Sequence, residues 1–316
     1  MKAIISTRWG LKPHLTLADV PEPGEPGPDD VLVKVHAASV NPKDWKINRR
    51  IAMVAPPVLM KRLPPLFGDD LAGTVLAVGR NVTDFVVGDE VYGMDMRLRT
   101  ASLAERTRID QKRIAKKPPS LSYLEAASMP LAAQTALRGL RKGKAQAGSK
   151  VIIIGASGGV GTFAVQIAKV MGCHVTGVCS GRNTGFVSEL GADETIDYTQ
   201  GDYRSRAGSF DLVFDVVSLE SPRTCSDLIA PNGWFISTGG NALAMLGTPL
   251  HRVLGKNAAS VVVESWREDL ETLTDMVEKD QVKPIIDSEY DLADTDQAYR
   301  RNRGGRCRGK VVIRVP

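Results

Sequence analysis

The stretch Val151-Ile152-Ile153-Ile154-Gly155-Ala156-Ser157-Gly158-Gly159-Val160-Gly161-Thr162-Phe163-Ala164-Val165-Gln166 constrains this chain more than any other. A continuous β-branched run feeds a glycine-rich turn, and the turn opens a helix. Such a run reads as a strand buried on both faces, the kind found in parallel sheets. The turn after it places backbone N–H groups at a helix N-terminus, where dipole and hydrogen bonds together hold a diphosphate. Gly158 lets the backbone approach the diphosphate, and Gly161 lets helix and strand pack closely. Ala156 stands where the first glycine of G-x-G-x-x-G is expected, so the pattern is A-x-G-x-x-G. A second strand-like run, His174–Cys179, follows about 20 residues on, which turns a weak glycine triplet into a dinucleotide-binding β-α-β unit.

The same letters also spell G-x-S-x-G over Gly155–Gly159, the nucleophile elbow of an α/β-hydrolase, with Ser157, Asp215 and His251 in a permitted order. Gly161 has no role in such an elbow, and a hydrolase leaves the first third of the chain unexplained. Ser157 is better read as a phosphate hydrogen-bond donor. No lysine follows the turn as in a P-loop, which argues against an NTPase.

The second strand should end over the adenosine ribose, where NAD sites carry Asp or Glu. Here the chain continues Ser180-Gly181-Arg182-Asn183, with no carboxylate until Glu189. A hydroxyl and a planar guanidinium accept a 2′-phosphate that a carboxylate would repel. Ser180 and Arg182 therefore favour NADPH over NADH. Tyr198, after the third strand, is either a further contact to that phosphate or a plain strand-end aromatic.

At 316 residues the chain is too long for one ordinary domain, and its texture changes near Leu121. Before that point, short strand-like runs such as Val31–Val35 and Ala72–Val78 alternate with Gly/Pro clusters, the densest being Pro21–Pro28. That punctuation predicts antiparallel strands in a barrel or sandwich. Beyond it comes a helical stretch over Leu124–Leu140. Strands at Lys150–Ile154, His174–Val178, Leu212–Val216 and Gly233–Thr238 then alternate with helices at Val160–Met171 and Thr184–Leu190. An amphipathic helix over Glu268–Glu278 and a terminal strand, Lys310–Val315, follow. The last strand has no α/β partner nearby, so it is expected to return to the first domain. The expected division is 1–122 with 266–316 against 123–265.

Hydrophobic residues at 43% and charged residues at 24% exclude a disordered or fibrous chain. No apolar run reaches the roughly 20 residues of a transmembrane helix. The opening Met1–Ser6 has neither a long apolar core nor transit-peptide composition, so a cytosolic location is expected. Cys173, Cys179, Cys225 and Cys307 form no C-x-x-C pair and read as free thiols. The net charge of +5 is concentrated late, at Arg300, Arg301, Arg303, Arg306, Arg308 and Lys310. No aromatics interleave there, which argues against nucleic acid.

Six motifs now carry a resemblance. They are Ala37–Asp44, Phe67–Gly73, Val87–Val91, the glycine turn, Glu189–Asp193 and Arg308–Val312, in that order. With them the chain resembles the medium-chain dehydrogenase/reductase superfamily, and within it the zinc-free quinone oxidoreductase and enone reductase branch. The resemblance covers nearly the whole chain. It implies α/β plus β architecture: a GroES-like β-barrel catalytic domain built from both chain ends, with an inserted Rossmann domain, a doubly wound parallel sheet. It further implies a cofactor in the cleft and a homodimer paired through the Rossmann sheet edge; the residue reading adds NADPH as that cofactor, a small hydrophobic electrophilic substrate, and no nucleic acid or membrane insertion. Ser260–Glu264 would suit such an edge.

The zinc-dependent relatives supply Cys in the first motif and Gly-His-Glu in the second; here those positions are Asn41 and Asp69-Asp70. No cysteine precedes Cys173, and His14, His36, His174 and His251 show no ligand spacing, so no bound zinc is expected. Without a metal to polarise a carbonyl, the expected acceptors are already electrophilic: quinones, or alkenes conjugated to a carbonyl. Asn41 is the candidate donor, to substrate oxygen or to the ribose side of the cofactor; its plain alternative is to close the turn before Pro42. Lys43 and Lys46 are candidate proton sources or surface lysines, Asp44 a fixer of local backbone, and Trp45 a pocket or barrel residue. Thr135 corresponds to a family position near the nicotinamide. Val216-Val217 and Thr238-Gly239-Gly240 end later strands and should flank it. Arg308 is a candidate phosphate contact, while Arg306 replaces the family's histidine. The apolar segment 51–65 reads as core or as a lid. A 2-enoyl thioester or alkenal reductase, and a non-catalytic NADPH-binding regulatory protein, are the alternatives.

Overall fold

The computed structural model describes residues 1–6, 15–44, 68–95, 101–205, 210–239, 257–262 and 264–316. These form two compact units, one of Met1–Leu131, Glu264–Glu278 and Pro284–Pro316, the other of Ala132–Val263 and Lys279–Lys283.

The first unit opens with β1 (Lys2–Ser6), β2 (Leu15–Asp19), β3 (Asp30–Val40), β4 (Asp70–Val78), β5 (Glu90–Met94), β6 (Arg106–Asp110), β7 (Ile114–Lys116) and α1 (Tyr123–Ala127). Next comes α2 (Pro130–Lys142), which leads into the second unit. That unit holds β8 (Lys150–Ile154), α3 (Gly159–Val170), β9 (His174–Cys179), α4 (Thr184–Glu189), β10 (Glu194–Asp197), β11 (Phe210–Asp215), β12 (Ile229–Ser237) and β13 (Asn257–Ser260). The chain then returns to the first unit with α5 (Arg267–Glu278), β14 (Ile286–Asp291), α6 (Thr295–Arg303) and β15 (Lys310–Arg314).

In the first unit β3 is the hub: it pairs antiparallel with β4, β6 and β15. Val31, Val33 and Val35 alternate inward along it and join Leu71, Val91, Ile109, Val311 and Ile313 in one core. Burying each such side chain contributes about 1.5–3 kcal/mol. The terminal strand does return, since β15 lies beside β3 in the register Val311↔Val40.

The second unit is a parallel sheet in the order β10-β9-β8-β11-β12-β13. Counted from β8, that is the 3-2-1-4-5-6 order of a doubly wound fold. Its switch point falls between β8 and β11, so a ligand crevice is expected beyond their carboxyl ends. Helix α2 packs against β11: a Cβ on Gly139 would come within 2.2 Å of the Phe214 ring.

Two local expectations need revision. The helical stretch over Leu124–Leu140 is two helices, because Pro130 lacks an N–H and disfavours a helical residue before it; it serves instead as the first residue of α2. The edge strand is Asn257–Ser260 rather than a run from Ser260 onward, since β12 pairs with it through Trp234↔Asn257 to Ser237↔Ser260.

Candidate functional site

In the second unit, the glycine turn closes the carboxyl end of β8. Gly155 has φ +89°, a conformation costly for any residue with a Cβ. A Cβ on Gly161 would meet the Gly155 carbonyl at 2.2 Å, so α3 can pack against the turn only with glycine there. Gly158 differs. A Cβ there would meet nothing in the protein closer than 3.5 Å. The protein's own packing does not demand that glycine, and the space beside it opens at the α3 N-terminus. That N-terminus lies at the switch point, where Gly159, Val160 and Gly161 begin the first turn and offer N–H groups. This cradle fits a dinucleotide.

The ends of the neighbouring strands gather around the turn. Val217 lies so close that a Cβ on Gly155 would meet it at 2.7 Å, with Val216 at 3.3 Å. Asp215 is buried, and its carboxylate accepts the N–H groups of Val217, Ser218 and Glu220 at 2.8–3.0 Å, which shapes the loop after β11. Asp215 thus has a structural duty of its own. Thr238 Oγ1 donates to Val216 O at 3.0 Å, holding the end of β12 against the end of β11. Gly239 follows it at the exposed end. Thr135, buried on α2, stands one turn before Gly139.

At the far end of the turn the structure adds a residue that sequence reasoning missed. Asn183 is buried, and its Nδ2 donates to Ser157 Oγ at 3.0 Å and Ser180 Oγ at 3.3 Å. One amide therefore brings both serines together, with exposed Arg182 beside them. Tyr198 is 56% exposed just past β10. A second omission is Asp197. Its carboxylate reaches the residue after Ser180: a Cβ on Gly181 would meet Asp197 Oδ2 at 2.4 Å. Hydrogen bonds from the Thr199 N–H and hydroxyl, with a lesser one from the Gly181 N–H, hold this carboxyl below its ordinary value. So a carboxylate does stand near the β9 end, contributed by the next strand and already engaged. The parallel pairing Asp197↔Cys179 was the available signal.

In the first unit, the end of β3 and the start of β4 build a buried polar cluster. Asn41 is 1% exposed. Its Nδ2 donates to Asp70 Oδ2 at 2.8 Å, and its Oδ1 accepts from Lys310 Nζ at 2.5 Å. The Asn41 N–H donates to Asp44 Oδ2 at 2.8 Å while the Asp44 N–H donates back to the Asn41 carbonyl, closing the turn at Pro42. Lys43 pairs with Asp69, and the lysine side chain is 18% exposed. Burial, then the Asp69 charge, pushes the Asp44 carboxyl up to about 7. Burial likewise lifts Asp69 to about 6 against the pull of Lys43. The buried Tyr299 hydroxyl faces both carboxylates without a hydrogen bond of normal geometry, and its own titration is driven well upward by burial. Arg308 is exposed on the segment before β15, its N–H held by Asp287 Oδ1 at 2.8 Å. Trp45, Lys46, His14, His251, Gly240 and the segment 51–65 lie outside the described residues.

Comparison with known proteins matches this architecture. Residues 27–119 match the family model of the alcohol dehydrogenase GroES-like domain, and 190–313 that of zinc-binding dehydrogenases. The chain is 37% identical to a zinc-type alcohol dehydrogenase-like protein of Schizosaccharomyces pombe, over 94% of this chain and 90% of that protein. It is 33% identical to the tomato (Solanum lycopersicum) 2-methylene-furan-3-one reductase, over 99% of this chain and 79% of the relative. The solved quinone oxidoreductase of Coxiella burnetii superposes with a TM-score of 0.89 at 29% identity, covering 100% of this chain and 99% of that one. The chain belongs to the medium-chain dehydrogenase/reductase superfamily, in its zinc-free quinone oxidoreductase and enone reductase branch. It is an oxidoreductase of the kind that works with a pyridine nucleotide.

The zinc in one family description can be tested on these residues. Catalytic zinc wants three N, S or O donors with free lone pairs. Here Asn41 offers an amide held at both ends, Asp69 is paired with Lys43, and Asp70 accepts four hydrogen bonds. No group of three His, Cys, Asp or Glu residues suited to a metal occurs among the described residues. The donor set does not fit zinc.

Proposed function

We propose that this protein is an NADPH-dependent reductase that passes hydride, without a metal, to quinones or to alkenes conjugated to a carbonyl. The observation that carries the reading is the pairing of Lys43 with buried Asp69: a partly exposed ammonium held in place by a carboxylate. When bound, the nicotinamide supplies the hydride. Every other requirement falls to side chains. Addition to an already electrophilic acceptor leaves negative charge on the acceptor oxygen, which needs a hydrogen-bond donor and then a proton. Lys43 is the proton source in this reading, oriented by Asp69. The Asn41 amide keeps a second Nδ2 hydrogen beyond the one given to Asp70.

Ser180, Arg182 and Tyr198 support the choice of NADPH. A hydroxyl, a guanidinium and an exposed phenol suit the three acceptor oxygens of a 2′-phosphate. Asp197, kept ionised by its hydrogen bonds from Thr199 and Gly181, is a negative charge that Arg182 offsets in this reading. The same reading includes a homodimer in the cytosol, with β13 as the sheet edge and Val262, 75% exposed, beside it. Among the described residues no helix is long and apolar enough to cross a membrane.

The test is NADPH oxidation by chelator-treated protein against a panel of quinones and conjugated enones, with NADH in parallel. Turnover that prefers NADPH is expected. Tight NADPH binding without turnover on any acceptor would overturn the reductase reading and favour a binding role.

A further inference from the structure

Asp70 is fully buried. Its Oδ2 accepts from Ser39 Oγ at 2.6 Å and from Asn41 Nδ2 at 2.8 Å, and its Oδ1 accepts the Leu131 N–H at 2.8 Å. A buried carboxylate needs a counter-charge as well as hydrogen bonds. That charge comes from the other end of the chain. Lys310 Nζ lies 3.4 Å from Asp70 Oδ2, 2.5 Å from Asn41 Oδ1 and 3.5 Å from the Val40 carbonyl, with the side chain 4% exposed. An ammonium has three protons, and three oxygens face it.

We propose that Lys310 is the built-in counter-charge of buried Asp70, and that it is the positioning residue for Asn41. The chemistry of the partners settles which way the amide points. An ammonium only donates, so it takes Oδ1; a carboxylate only accepts, so it takes Nδ2. Both ends of the Asn41 amide are thereby fixed, and its second Nδ2 hydrogen has one direction. The positive charge at Oδ1 polarises the amide and makes that hydrogen a stronger donor. A divalent ion placed between Asn41 and Asp70 would meet an ammonium within bonding range of both and lone pairs already in use. β15 pairs antiparallel with β3 in the register Val311↔Val40, so Lys310 falls opposite Asn41.

The kinetic part of this inference rests on the reductase reading; the other two parts do not. First, purified protein incubated with excess zinc chloride and desalted should retain no stoichiometric zinc by mass spectrometry. One tightly held zinc per chain would overturn the proposal. Second, Lys310→Met and Asp70→Asn should each lower Tm, because each leaves one buried charge unpaired, and the double variant should regain part of that loss. Strictly additive losses would show that the two charges do not compensate each other, and would overturn it. Third, the double variant, which remains informative if either single variant does not fold, should bind NADPH as the native protein does. It should lose about tenfold in kcat on an active quinone or enone, the scale of one charge-assisted hydrogen bond. An unchanged kcat and KM would overturn the positioning role. If the native protein turns over no acceptor, the reductase reading fails while zinc content and Tm still judge Lys310.

Discussion

Asn183 Nδ2 donates to Ser157 Oγ across 3.0 Å, so a buried amide ties the glycine turn to the loop after β9. The same amide lies 3.3 Å from Ser180 Oγ. Both serines are offered as cofactor contacts, and Asn183 sets the spacing between them. Asn183→Ala should weaken NADPH binding about tenfold, the cost of freeing one buried hydrogen-bonded pair. A fluorescence titration checks this. An unchanged Kd would mean that the two serines hold their places unaided.

The turn's glycines make a second contrast. Gly161→Ala should destabilise the second unit, because its Cβ would collide with the Gly155 carbonyl. Gly158→Ala should fold normally, with nothing in the protein closer than 3.5 Å, yet lose most of its nucleotide affinity. Thermal melts with and without NADPH separate the outcomes: a lowered apo Tm for the first, a lost ligand-induced shift for the second.

Coenzyme preference should respond to charge at the β9 end. Arg182→Ala should reduce the NADPH over NADH preference by roughly ten- to a hundredfold, as expected on removing a guanidinium–phosphate pair. Ser180→Asp should lower NADPH affinity further by placing a second carboxylate near Asp197. Parallel kcat/KM measurements with both coenzymes decide it, and no change in the ratio would remove these residues from the phosphate site.

The cluster around Asn41 predicts a pH dependence of stability. The Asp44 carboxyl titrates near 7 in the native state, well above its unfolded value near 4. The native state therefore holds this proton more tightly, and the resulting stability is complete below about 4 and lost as pH rises toward 7. Asp69, raised to about 6, acts in the same direction. The facing groups are Lys43, Asp70 and Tyr299. Carboxyls held low by their partners, such as Asp193 and Asp287, act oppositely, but only below pH 4. Tm should accordingly fall between pH 5 and pH 8, and Asp44→Asn should flatten that slope. An equally steep slope in the variant would assign it elsewhere.

Much of this is legible in the sequence alone. The β-branched run into Gly155, the spacing to Gly158 and Gly161, and the alternation of strands and helices after Leu121 are local signals, each completed within a few residues. Pro130 carried a local signal too, but helical periodicity across it concealed the break. What failed were readings confined to one strand. The search for a carboxylate near the adenosine ribose stopped at the tail of β9, while Asp197 enters from β10 through parallel pairing.

The sequence by itself determined the doubly wound unit, the strand-rich unit and the class of cofactor, because glycine conformations and burial periodicity act over short stretches of chain. Only the tertiary structure decided that Lys310 faces Asn41, 269 residues away, and that Asn183 joins Ser157 to Ser180. Those meetings depend on sheet register and on which strand ends converge. Such relations are set when apolar faces are buried together, and no run of neighbouring residues encodes them.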